Sequence, residues 1–249
     1  MQNAHPVKTP MDPGYASVNE DSLRFMDTTL YRSLVGALLY LAVNARPDVA
    51  LSVGLLGRKV SEPNKSDWNA AKRVVQYLKS TKNYRLKFDP GDGWKLIGYS
   101  DANWGGDIRT RRSTTGFVVF YGGGPISWTS RCQDSVALSS MEAEYNVLAL
   151  TCQEIVWLKR LLADFDEHQE EATTVLEDNQ GCLSFAVSER VSGRVKHIDT
   201  KRHFIRDLCE QRIIKLMYCP TTDMLADALT KPLGPAKLRK FVDGIGLSG

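Results

Sequence analysis

The stretch Gly98-Tyr99-Ser100-Asp101-Ala102-Asn103-Trp104-Gly105-Gly106-Asp107 decides how the rest of the chain is read. Leu96 to Ser100 carries strand-forming residues, and Gly105-Gly106 supplies the backbone freedom of a sharp exit. The pattern predicts a strand that delivers one carboxylate, Asp101, to its end. A strand-end Asp ahead of glycines is also an ordinary turn residue. Asp101 therefore gains meaning only if further carboxylates reach it from other elements.

Downstream, Arg109-Thr110-Arg111-Arg112-Ser113 makes a polar turn and Thr115 to Tyr121 reads as a strand. Gly122-Gly123-Gly124-Pro125 then turns into a third strand, Ile126 to about Ser130. Three strands joined by short turns predict an antiparallel meander. A long helix is expected from about Ser140 to Leu162, with Tyr145, Leu148, Ala149, Cys152, Ile155 and Val156 as its buried stripe. Thr174 to Asp178 reads as a short strand ending in a second carboxylate. Helices near Gln180 to Val187 and Ile198 to Gln211, a strand from Ile213 to Cys219, a helix from Thr222 to about Lys231 and a last short helix near Ala236 to Val242 follow. The sum is an α/β class fold, a mixed sheet covered by helices.

Upstream, residues 1 to about 27 are rich in Pro, Asp, Asn and Ser. Tyr31 to Val43 predicts a helix that is apolar nearly all round, and Pro47-Asp48 opens a second helix through about Val60. Ser66 as N-cap and Trp68, Ala71, Val75 and Leu78 on one face predict a third. The turn cluster Asp89-Pro90-Gly91-Asp92-Gly93 marks a boundary, so that residues 1–90 form a small helical segment and residues 91–249 a second domain.

The net charge of +3 hides two basic zones. Arg58 to Lys87 holds nine Lys or Arg against two acids, and Glu189 to Lys215 holds eight against four. Both suit a polyanion partner, or a solvated helix face. The five cysteines lack the short spacing of a zinc site, which suits reduced thiols in an intracellular protein. The longest apolar run, Leu34 to Val43, is far short of a membrane span, so no membrane partner is expected.

Four carboxylates invite comparison. If the strands ending at Asp101 and Asp178 are parallel neighbours, both side chains emerge at one sheet edge; the competing role for Asp178 is a helix N-cap. On the long helix, Ser139 with Glu142 three residues on fits a capping box, which leaves Glu144 free. Asp223 and Asp227 share a helix face by their spacing of four. Asp223, beside Thr222, reads as a cap or dipole partner, whereas Asp227 lies between Ala226 and Ala228 with room around it. Crowded carboxylates repel unless a cation neutralises them, and oxygen-only ligands favour Mg²⁺ or Mn²⁺ over zinc. Two such ions bridged by a strand-end Asp suit in-line attack on a phosphodiester. His197 and His203, six residues apart and not on one face, read as structural or phosphate-contacting groups.

At this point the chain resembles a known family. Tyr31-Arg32-Ser33-Leu34-Val35-Gly36-Ala37-Leu38-Leu39-Tyr40-Leu41 and Ala70 to Lys79 are similar to the end of a copia-type LTR-retrotransposon reverse transcriptase. Tyr99-Ser100-Asp101-Ala102, Ser127-Trp128, Ala137 to Tyr145, Asp178-Asn179-Gln180, Lys196-His197-Ile198-Asp199 and Ala226 to Lys231 resemble its ribonuclease H domain. The similarity runs from about Thr9 to Leu233.

The resemblance implies a ribonuclease H-like mixed five-stranded sheet flanked by helices, preceded by a thumb- or connection-like helical segment. It implies a metal-dependent endoribonuclease that cuts the RNA strand of RNA/DNA hybrids, leaving a 5′-phosphate and a 3′-hydroxyl. The family's carboxylate quartet falls on Asp101, Glu144, Asp178 and Asp227, holding two Mg²⁺ ions with Mn²⁺ as a substitute. Nucleic-acid contacts are expected from Lys72, Arg73, Lys79, Arg111, Asn179, Gln180, Arg194, Lys196, His197 and Lys201. The implied partners are the hybrid and the polymerase portion of reverse transcriptase, in the same or a parent polyprotein, in the cytoplasm. A catalytically silent nucleic-acid-binding or scaffolding fragment is the alternative, and a double-stranded DNA substrate is a third reading that the quartet disfavours. Two departures stand out. The loop Tyr218-Cys219-Pro220-Thr221-Thr222 lacks the histidine that assists product release in many cellular ribonucleases H, and the Tyr-x-Asp-Asp polymerase motif is absent, so no DNA synthesis is expected.

Overall fold

The computed structural model describes residues 5–15, 23–91, 93–188 and 196–249. Helices α1 (Thr28–Asn44), α2 (Ala50–Gly57) and α3 (Lys65–Ser80) precede a short strand β1 (Arg85–Leu86). Then come β2 (Ile97–Asn103), β3 (Thr114–Tyr121), β4 (Gly124–Cys132), α4 (Ser140–Ala163), β5 (Thr173–Glu177), α5 (Gln180–Val187), α6 (Lys196–Glu210) and β6 (Ile214–Tyr218). A 3-10 turn (Leu225–Leu229), α7 (Pro235–Gly244) and β7 (Leu247–Ser248) end the chain.

The five-stranded sheet has the order β4-β3-β2-β5-β6. The meander β2-β3-β4 is antiparallel, while β2 with β5 and β5 with β6 are parallel. The mixed five-stranded sheet flanked by helices that the resemblance implies is therefore present. Its central strands are covered on both sides. Phe117 and Val119 of β3 join a cluster with α4, α5 and α6, whereas Val118 and Phe120 join one with α1, α2, α3 and α7. Burial on both faces explains why Phe117-Val118-Val119-Phe120 is a continuous apolar run rather than an alternating one. The helices before residue 90 share their cluster with α7, and β1 pairs antiparallel with β7.

Local chemistry sets several boundaries differently from the sequence pattern. Asn64, not Ser66, caps α3: its side chain accepts from the Asp67 amide at 2.8 Å, and Asp67 returns a bond from the Asn64 amide at 2.8 Å. Pro47–Val49 is a separate 3-10 turn ahead of α2, which stops at Gly57. The helix expected from Thr222 to Lys231 is only the 3-10 turn Leu225–Leu229, because the Met224 backbone is extended and Asp223 pairs with Lys240 at 2.6 Å instead of capping. Among the described residues, no helix is long and apolar enough to cross a membrane.

Candidate metal centre

Parallel pairing brings the first two carboxylates together. β2 and β5 register as Ile97↔Thr174, Gly98↔Val175 and Tyr99↔Leu176, and continuing that register puts Asp178 level with Asp101. Asp101 is 2% exposed and Asp178 half-buried just past the end of β5. Glu144 arrives from the first turns of α4. There Ser139 accepts from the Glu142 amide at 3.1 Å, and Glu142 accepts from the Leu138 amide at 2.8 Å, so Glu142 is spent on the helix start while Glu144 is buried. One carboxylate oxygen from each of Asp101, Glu144 and Asp178 lies within 4.8 Å of the others.

Asp227 reaches the same region from the 3-10 turn. Its Oδ1 lies 2.7 Å from Lys231 Nζ, and that ammonium lies 4.0 Å from Asp101 Oδ2. The Thr230 hydroxyl donates to Asp101 Oδ2 and approaches the Asp227 carbonyl at 3.1 Å. The Thr221 hydroxyl donates to Asp178 Oδ2 at 2.7 Å, and Asn179, not Asp178, caps α5 by accepting from the Cys182 amide at 2.9 Å.

A fifth carboxylate lies beneath. Glu177 is fully buried and accepts from Ser100 Oγ at 2.8 Å and from the Asn179 amide at 3.2 Å. Neither it nor Thr230 and Lys231 is singled out by the sequence pattern. The Lys231 signal is its spacing of four from Asp227; the Glu177 signal is only its place next to Asp178.

The electrostatics follow from burial and crowding. Desolvation lifts the Asp101 carboxyl from 3.8 to about 6, with Lys231 and Thr230 holding it down and Asp227 and Asp178 pushing it up. Burial also raises Glu144 and Glu177, and Glu144 is raised further by the charges of Glu177, Asp101 and Asp178. Among the described residues, Glu144 Oε2 is buried without a hydrogen-bond partner. An orphaned carboxylate oxygen among carboxylates, all oxygen donors, fits a hard divalent cation.

The expected nucleic-acid contacts are dispersed. Arg73 is occupied with Thr9, at 2.9 Å to its hydroxyl and 3.2 Å to its carbonyl, and Lys72 lies over the Trp68 ring at 5.9 Å. Lys79, Arg111 and Gln180 are exposed, and Arg111 has a positive φ of 56° in the β2–β3 loop. Lys201 donates to Asn146 Oδ1 at 2.6 Å, tying α6 to α4. Lys196 and His197 open α6 with side chains outside the description, and Arg194 lies outside the described residues.

The chain is 36% identical over 247 residues to the retrovirus-related Pol polyprotein from transposon RE2 of Arabidopsis thaliana, matching 99% of this chain and 17% of that protein. It is also 36% identical over 257 residues to the retrovirus-related Pol polyprotein from transposon TNT 1-94 of Nicotiana tabacum, covering 99% of this chain and 19% of the relative. The chain thus spans under a fifth of these relatives' length. Among solved structures, LC11-RNase H1 in complex with RNA/DNA hybrid overlaps 55% of this chain and 94% of its own, at 16% identity and a TM-score of 0.41. No protein-family model matches the chain.

Proposed function

Because the chain belongs to the retrovirus-related Pol polyproteins of copia-type transposons, we propose that it supplies their ribonuclease H activity, a metal-dependent endonuclease cutting the RNA strand of RNA/DNA hybrids during reverse transcription. Residues 91–249 would carry the nuclease, and residues 1–90 the thumb- or connection-like end of the reverse transcriptase. The polymerase portion, in the same or a parent polyprotein, is the natural partner, and the setting is intracellular. The observation that carries this reading is the convergence of Asp101, Glu144 and Asp178 from three separate elements within 4.8 Å, with one Glu144 oxygen buried and, among the described residues, unpartnered.

In this reading Asp101, Glu144 and Asp178 would hold one Mg²⁺, and Asp101 with Asp227 would hold a second. Bound divalent cations supply neutralisation of the scissile phosphate and an acidified water. The protein fixes the ligands. The Thr230 hydroxyl orients Asp101 and the Thr221 hydroxyl orients Asp178, so both carboxylates are set before a substrate arrives. The exposed Lys79, Arg111 and Gln180 would meet backbone phosphates, which makes binding fall with salt.

The test is a labelled RNA/DNA hybrid incubated with the intact chain and Mg²⁺, beside duplex DNA and duplex RNA. Cleavage of the hybrid's RNA strand alone, abolished by EDTA, Asp101→Asn or Glu144→Gln, is expected. Retention of the hybrid without cleavage would instead identify a catalytically silent binding fragment.

A further inference from the structure

We propose that Lys231 is a built-in stand-in for the second cation: its ammonium holds Asp227 and Asp101 together in the metal-free protein and must swing away for a second ion to enter. The inference rests on the two-cation reading of the centre and concerns the order in which the ions are taken up.

The geometry divides the four carboxylates unevenly. Asp101, Glu144 and Asp178 offer mutually close oxygens, while Asp227 is engaged with Lys231 Nζ at 2.7 Å. The same ammonium is 4.0 Å from Asp101 Oδ2, so it lies between the two carboxylates that a second ion would bridge. A positive charge at that point does electrostatically what a cation would do, offsetting repulsion between two buried acids. A divalent ion arriving there meets a like charge, so the first ion fills the three-carboxylate side and the second is weakened by competition. The competitor is movable: Lys231 is 39% exposed on its side chain, and its flexible stem can carry the ammonium to solvent or to a phosphate.

The position is built, not incidental. Lys231 and Thr230 leave the same turn that carries Asp227, and the Lys231 amide donates to the Asp227 carbonyl at 3.1 Å. The turn thus presents a ligand, a hydroxyl for Asp101 and a competing cation within five residues, Asp227 to Lys231. Freed from the carboxylates, the ammonium becomes available to a substrate phosphate only once the second ion is in place.

The experiment counts Mn²⁺ bound to the full chain, by calorimetry and by the loss of free-ion paramagnetic signal, in wild type, Lys231→Met and Lys231→Arg. Two sites of unequal affinity are expected in wild type, with the weaker one at least tenfold tighter in Lys231→Met and unchanged or weaker in Lys231→Arg. The metal-free Lys231→Met protein should also melt lower than wild type, with the gap closing as Mn²⁺ is added. A second measurement needs no variant: acylation of Lys231 in wild type, read by mass spectrometry, should rise several-fold over the Mn²⁺ range that fills the weaker site. A weaker-site affinity within twofold of wild type in Lys231→Met, or acylation that does not rise, overturns the role of Lys231 while leaving the metal centre standing. Absence of any Mn²⁺ binding by wild type overturns both.

Discussion

The Ser100 hydroxyl donates to Glu177 Oε2 at 2.8 Å, on the face of the sheet opposite to the one that presents Asp101. Successive strand side chains alternate, and a Cβ at Gly98 would meet Ile155 and Thr151 of α4, so Ser100 and Glu177 lie on the α4 side. Glu177 is therefore a like-charge neighbour of Glu144 in a buried setting, and its ionised form is disfavoured in the fold. Glu177→Gln should change metal-free stability little at pH 5 and raise it by several kcal/mol at pH 9, above the range to which burial lifts the Glu177 carboxyl. Urea midpoints at the two pH values check this; a loss of stability at pH 9 would show that Glu177 is needed as a charge.

Asp101 extends the same logic to the whole centre. Its carboxyl is raised from 3.8 to about 6 by burial, so the protonated form is favoured in the native state. A raised acid contributes stability that is fully present below the unfolded value and is lost as pH rises through the folded one. Metal-free protein should therefore lose stability between about pH 4 and pH 6, by roughly 3 kcal/mol from Asp101 alone. Burial shifts Glu144 and Glu177 in the same direction, which carries the decline to higher pH. Saturating Mg²⁺ should flatten the profile. Denaturation in EDTA and in Mg²⁺ across this range is the measurement, and stability that rises with pH in EDTA would contradict it.

How much of this is legible in sequence depends on how local the cause is. The ends of β2 and β5, the meander and the long α4 are local patterns, and the separate jobs of Glu142 and Glu144 follow from one capping rule. Glu177 is not legible: its partner Ser100 is 77 residues away, and only the parallel pairing of β2 and β5 makes them neighbours. Lys231 hides for another reason. The spacing from Asp227 suggests an ordinary helical ion pair, whereas the chain there is a 3-10 turn whose end is turned toward Asp101. The composition change at Asp89 to Gly93 is visible, but the packing of α1, α2 and α3 with α7 is a contact between distant parts of the chain.

Gly116 links packing to the site. It pairs with Asp101 across β2 and β3, and a Cβ there would stand 2.6 Å from Thr230 Cγ2, 2.8 Å from Leu229 Cβ and 3.0 Å from the Leu229 carbonyl carbon. Part of that contact is backbone and cannot rotate away. Gly116→Ala should cost about 1–3 kcal/mol and push the Thr230 hydroxyl off Asp101. Mn²⁺ affinity should then fall further than the same loss of stability produces when it is introduced in α1. Unchanged affinity would show that Thr230 does not position Asp101.

In the helical segment, Arg46 is 8% exposed and makes two bonds to Asp48, at 2.9 and 2.7 Å, and one to Thr81 Oγ1 at 2.6 Å. Its guanidinium also lies over the rings of Tyr77 and Tyr84 at 5.7 and 5.8 Å. Arg46→Ala leaves the buried Asp48 without its cation, with Tyr77 still bonded to it, and should cost about 3–5 kcal/mol. The double change Arg46→Met with Asp48→Leu should recover much of that loss in thermal melts, and failure to recover any would mean that the hydrogen bonds to Thr81 dominate.

Arg58 joins the helical segment to the loop that bears Arg111. It caps the C-terminal end of α2, with Nη1 3.5 Å from Asp107 Oδ2 and Nη2 donating to Thr114 Oγ1 at 3.1 Å. Asp107 in turn accepts the amides of Arg109 and Thr110 at 3.1 and 2.9 Å, so one carboxylate organises the turn that aims the exposed Arg111. Partial burial works against the Asp107 charge, yet the Thr110 bonds and Arg58 hold its carboxyl below the usual range. Because the pair is only partly buried, Arg58→Ala should cost little overall stability, about 1 kcal/mol. Its local effect should be larger: the loop from Gly105 to Arg112 loses its outer anchor and becomes the preferred site of limited proteolysis. If Arg111 meets the hybrid backbone, Arg58→Ala and Arg111→Ala should weaken hybrid binding to similar extents and together do little more than either alone. Additive losses in a double-mutant cycle would show that Arg58 meets the nucleic acid directly instead of acting through the loop.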